Sequence, residues 1–86
     1  MKRLLLALAI AAAAQAAEQS LSLKVDGWHS KGDVYKTEQA VQQVKGVVRV
    51  SSDLPSKSIT VVFDDASANA AAIQKAISSA GYVSHR

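Results

Sequence analysis

Val44-Lys45-Gly46-Val47-Val48-Arg49-Val50-Ser51-Ser52, then Asp53-Leu54-Pro55-Ser56-Lys57, then Ser58-Ile59-Thr60-Val61-Val62-Phe63 passes from a helix end to a strand, a turn and a second strand. Ile59, Val61 and Phe63 alternate with smaller or polar residues, the period of a half-buried strand. Val47 to Ser52 is rich in β-branched residues, which suit a pleated surface. The chain's single proline anchors the turn between them, so the two strands are expected to pair as a hairpin.

Working outward, the stretch from Asp33 to Lys45 places Val34, Thr37, Val41 and Val44 three and four apart, one face of a helix. Gly46 follows where a helix C-terminal cap is expected. Upstream, Leu21, Leu23 and Val25 alternate as a first strand, Asp26-Gly27 interrupts it, and a polar loop runs to Gly32. Downstream, Asp64-Asp65 ends the hairpin, and Ser67 or Asn69 can cap a second helix whose inner face is Ala70, Ile73, Ile77 and Ala80. Gly81 stops that helix, and Tyr82-Val83-Ser84 is a short last strand. The order β-α-β-β-α-β predicts an α+β domain, the ferredoxin-like sandwich of a four-stranded antiparallel sheet with two helices on one face. The right-handed crossover rule leaves few other topologies.

The amino terminus carries a different pattern. Met1-Lys2-Arg3 is a short positive segment, Leu4 to Ala14 is apolar throughout, and Ala14-Gln15-Ala16 has the small-x-small form of a signal peptidase site. The apolar run is about eleven residues, whereas a spanning helix needs about twenty. Residues 1–16 are therefore expected to be a secretory signal peptide, with cleavage after Ala16 and a domain over residues 17–86. No membrane insertion is expected after cleavage. With no cysteine in the chain, a lipid-anchored lipoprotein is excluded.

Composition narrows the function. The 86 residues carry 10 Lys and Arg against 7 Asp and Glu. Without Lys2 and Arg3 the balance is eight to seven, which supplies no clustered basic excess for nucleic acid or an anionic membrane. An oxidising compartment permits disulfides, but there are no cysteines, so stability must come from packing. At about seventy residues a single core is only just sufficient.

On these residues the chain resembles the heavy-metal-associated domain family, small modules that include periplasmic mercury-binding proteins, copper chaperones and metal-binding domains of P-type ATPases. The resemblance runs from Leu21 to Tyr82. Gly27-Trp28-His29-Ser30-Lys31-Gly32-Asp33 stands where the family has Gly-Met-x-Cys-x-x-Cys. Val44-Lys45-Gly46-Val47 with Val50, Val61-Val62-Phe63-Asp64-Asp65 and Ala80-Gly81-Tyr82 match later parts of the pattern. The resemblance implies the ferredoxin-like fold, export to the bacterial periplasm, a part in metal-ion binding or transport, and a membrane metal transporter or other exported protein as partner.

The family's two cysteine positions are occupied by Ser30 and Asp33. Soft Cu(I) and Hg(II) are held by polarizable thiolates. A neutral serine hydroxyl is no substitute, and a carboxylate prefers harder ions, so no thiolate-type site is expected. The simpler reading of Ser30-Lys31-Gly32-Asp33 is a capping pattern, Ser30 as N-cap and Asp33 in the first turn against the helix dipole. His29 and Asp33 are the two weak candidates for a metal site, one nitrogen and one oxygen four residues apart, with Asp26 as a conceivable third. Even an open zinc site uses three protein ligands. His85 is expected about 10 Å away along the last strand. The bland reading of His29 is an exposed loop histidine. No cofactor is expected beyond a weakly bound divalent metal ion. Trp28, in the family's methionine position, is expected as a lid on the core, with Tyr82 beside it. The alternative for Trp28 is an exposed contact for a partner protein.

No catalytic residues are evident. There is no thiol nucleophile, no serine with a histidine and acid nearby, and Asp64 and Asp65 are strand neighbours whose side chains point apart. Two readings remain: a metal-handling module with a weakened site, or a protein-interaction module that keeps only the fold.

Overall fold

The computed structural model describes residues 17–86, so the expected signal peptide lies outside the described residues. Six elements follow in chain order: β1 (Glu18–Asp26), α1 (Lys31–Gln42), β2 (Val47–Asp53), β3 (Ser58–Asp64), α2 (Ala70–Ser79) and β4 (Val83–His85). The sheet order is β2-β3-β1-β4, and every neighbouring pair is antiparallel. This is the ferredoxin-like arrangement that the element order predicts.

The period-two pattern explains which face of the sheet is covered. Leu21, Leu23 and Val25 on β1 and Ile59, Val61 and Phe63 on β3 are all buried. Thr37 and Val41 of α1 and Ile73 and Ile77 of α2 are fully buried with them. The opposite face keeps Ser20, Ser22 and Lys24 exposed. β1 extends further toward the amino terminus than its apolar residues indicate, because Glu18 pairs with Asp64 and Gln19 with Phe63. Backbone pairing requires no apolar side chain.

The two glycines after the helices have different jobs. Gly81 (φ +100°) ends α2 in a Schellman motif: the Tyr82 N–H donates to the Ile77 carbonyl at 3.2 Å and the Gly81 N–H to Ser78 at 3.0 Å. Gly46 (φ +98°) does not cap α1, contrary to the sequence expectation, since α1 ends at Gln42 with Gln43 as its cap. Tight turns carry the chain onward, the Val44 N–H donating to Val41 and the Val47 N–H to Val44. Gly46 instead lies against the segment before α2. A Cβ there would stand 2.8 Å from the Ser67 Cβ and 3.0 Å from the Ala68 Cβ. Its carbonyl accepts from the Asp64 N–H at 2.7 Å.

Asn69 is the α2 cap, its side chain accepting from the Ala72 N–H at 2.8 Å. The β2–β3 turn closes on Asp53, whose carboxylate takes both the N–H and the hydroxyl of Ser56.

Candidate functional site

The β1–α1 loop is built from its tryptophan outward. Gly27 turns the chain at φ +103°, and a Cβ there would come 3.2 Å from the Tyr82 ring. Trp28 then enters the interior with 1% of its surface exposed. A buried indole N–H needs an acceptor. It finds the Thr37 hydroxyl at 2.8 Å, and that hydroxyl donates to the Asp33 carbonyl at 3.0 Å. Thr37 is the only fully buried polar residue in the described core, and this pairing satisfies it. Trp28 is thus the lid that the sequence predicts and offers a partner no exposed surface.

Asp33 is the polar centre of the loop. One carboxylate oxygen accepts from the Tyr82 hydroxyl at 2.7 Å. The other accepts from the His29 backbone N–H at 2.8 Å and has the Ser30 hydroxyl at 3.5 Å. These donors stabilise the charged carboxylate, so its pKa is lowered, chiefly by Tyr82 and then by His29. The same bond, with burial adding to it, raises the pKa of the Tyr82 phenol.

The expected cap is corrected here. Ser30 occupies the N-cap position with extended backbone, and its carbonyl accepts from the N–H groups of Asp33 and Val34. Its side chain caps nothing. The hydroxyl is turned toward the Asp33 carboxylate, to which it donates at 3.5 Å, and reaches no helix N–H. The half of the capping pattern that forms is the acid's, displaced by one residue to the His29 N–H.

At Asp33 the backbone N–H of His29 and the hydroxyls of Ser30 and Tyr82 meet, so the predicted pair His29 and Asp33 is joined through the His29 backbone. Asp26 is drawn elsewhere. Its carboxylate lies 3.2 Å from the His85 ring nitrogen, and both side chains are more than half exposed. The register explains this contact: Asp26 pairs with Val83 and Lys24 with His85, so β4 runs away from the loop while its last histidine leans back diagonally. Asp26 therefore has a partner outside the loop, and its place as a third ligand is not supported. Among the described residues no group of three or more His, Asp or Glu is placed to hold a metal ion.

Sequence reasoning missed the Tyr82–Asp33 bond and the role of Thr37. The first joins residues 49 apart. Its only sequence signal is that the resemblance puts Tyr82 at the end of the second helix, near the loop.

A ferredoxin-like module with its polar centre on the first strand-to-helix loop is the class that this fold and site define. Residues 22–83 match the heavy-metal-associated domain, and the chain belongs to that family. The mercuric transport protein periplasmic component of Pseudomonas fluorescens is 36% identical, over 98% of this chain and 96% of that one. Among solved structures, oxidized MerP from Ralstonia metallidurans CH34 superposes with a TM-score of 0.77 at 30% identity, covering 80% of this chain and 96% of that chain. A copper binding domain from a P-type ATPase gives a TM-score of 0.75 at 26% identity, covering 77% and 89% respectively. Among the described residues no helix is long and apolar enough to cross a membrane.

Proposed function

We propose that this protein is a small exported heavy-metal-associated domain of metal-ion binding or transport in which the thiolate site has been lost. At most a weak non-thiol site remains at the loop from Trp28 to Asp33. One observation carries the reading: the family match spans nearly the whole described domain, while the chain has no cysteine and its loop presents imidazole, hydroxyl and carboxylate instead. Those groups do not fit Cu(I) or Hg(II), which demand sulfur. They suit a borderline divalent ion such as Cu(II), Ni(II) or Zn(II), with His29 as the nitrogen donor and Asp33 as the oxygen donor. The carboxylate's existing partners keep the binding weak.

Relatives named as periplasmic components of mercuric transport support the bacterial periplasm as location. They also support a membrane metal transporter, or another exported protein, as partner. The domain is read as a binding module, with no catalytic role. Titration with Cu(II), Ni(II) and Zn(II), followed by Trp28 fluorescence, tests the site. Weak binding that disappears in His29→Ala is expected. Tight binding that survives His29→Ala would place the site elsewhere.

The second reading, an interaction module without metal, draws on Tyr35 of α1, which is 62% exposed. It is preferred if no divalent ion binds.

A further inference from the structure

We propose that Asp33 is an internal latch, a carboxylate that closes the loop from within the chain and competes with any cation for the site. The family places a cysteine at this position, and the residue that replaces it accepts hydrogen bonds on both carboxylate oxygens. A carboxylate offers about four acceptor positions. Tyr82 takes one at 2.7 Å, the His29 N–H a second at 2.8 Å, and the Ser30 hydroxyl lies at 3.5 Å from the same oxygen as His29. Through Asp33 two separate segments are joined: the loop that runs through His29 and Ser30 into the first turn of α1, and the chain entering β4 at Tyr82. Both ends of the Tyr82–Asp33 bond are themselves held. The Tyr82 ring lies against Gly27 and its backbone N–H closes the α2 Schellman motif. The Asp33 carbonyl is tied through Thr37 to the buried Trp28. The loop is thus closed by these hydrogen bonds together with the packing of Trp28 and Tyr82.

Tyr82 is therefore the residue that sets access to Asp33. A cation that uses the carboxylate displaces the phenol, whose hydroxyl has no other hydrogen-bond partner among the described residues, or shares an oxygen that already accepts from Tyr82 or from the His29 amide. Removing the phenol hydroxyl frees an acceptor position and leaves the ring packing in place. The sign of the effect is opposite to that of ordinary damage: loop closure weakens while cation binding strengthens.

The metal arm of this inference rests on the proposed function, and the closure arm does not. The experiment compares the protein with Tyr82→Phe, Asp33→Asn and the double variant, each first checked for a cooperative melt. Amide hydrogen exchange at His29 reads the latch, and titration with Zn(II) alone reads the competition. Faster His29 exchange is expected in both single variants, with the double variant no faster than Asp33→Asn. Zn(II) affinity is expected to rise several-fold in Tyr82→Phe and to be lost in Asp33→Asn. Unchanged His29 exchange in both single variants would overturn the latch. Weaker Zn(II) binding by Tyr82→Phe than by the parent would overturn the competition. Exchange as expected, with no Zn(II) binding by any variant, would uphold the latch and remove the metal-handling reading.

Discussion

At the scale of single residues, Asp33 and Tyr82 define a pH window. The folded-state pKa of Asp33 is lowered, first by the Tyr82 hydroxyl, then by the His29 N–H, with the charge of His29 a smaller contribution. Its stabilisation is therefore complete above the ordinary carboxylate pKa of about 3.9 and is lost as pH falls through the lower folded value. Tyr82 is raised, so its part is present below about 10 and is lost as pH climbs through the higher folded value. A plateau in melting temperature across neutral pH is expected, with a fall at each end. In Asp33→Asn both falls should be shallower; a parent and variant with parallel profiles would show that the pair does not contribute. The same residue bears on metal choice. Ser30→Cys with Asp33→Cys should create a site for Cu(I) or Hg(II) under reducing conditions, because the helix start favours the thiolate form. Each single variant should bind far more weakly, and the double variant gives up the Tyr82 bond for its gain. A folded, reduced double variant that binds no better than the parent would mean that the loop geometry no longer suits two sulfurs.

At the scale of elements, the helix ends differ in what they depend on. Asn69 caps α2 with its side chain, so Asn69→Ala should cost about 1 kcal/mol. Ser30 caps α1 by position only, so Ser30→Ala should cost a small fraction of that in a denaturant melt. Equal losses in the two variants would contradict this assignment. The glycines separate in the same way. Gly81→Ala meets nothing within 4 Å and pays only for its left-handed backbone, about 1–2 kcal/mol. Gly46→Ala carries the same backbone penalty and adds contacts of 2.8 and 3.0 Å with the Cβ atoms of Ser67 and Ala68. It should be the more damaging of the two, at roughly 2–4 kcal/mol. Thermal melts of the pair would settle the order.

At the scale of the whole molecule, no disulfide holds this small domain together, since the chain has no cysteine, and its loop is tied by its own side chains. A cooperative melt that is unchanged by chelator is expected, and a midpoint that drops when metal is removed would overturn that expectation. The element order was legible from the sequence because strand and helix periods are local properties. Leu21, Leu23 and Val25, or Ile73 and Ile77, declare their buried face within one or two turns of chain. The heavy-metal-associated pattern was legible for the same reason, as spaced signals along one line of residues. Boundaries were less so: β1 starts at Glu18 and α1 at Lys31 because pairing and backbone bonds continue past the apolar residues that signal them. In sequence Gly46 signals a helix cap because a glycine after a helical stripe has that meaning locally, whereas its reason is the close passage of Ser67 and Ala68. The burial of Trp28 was legible in the loop, but the bonding of the loop's polar groups was not. Ser30 and Asp33 spell a capping pattern in sequence, and only the fold brings Tyr82, 49 residues away, within reach of the Asp33 carboxylate. A carboxylate goes to the strongest donors that the tertiary structure puts beside it, and which donors those are depends on how β4 enters the sheet.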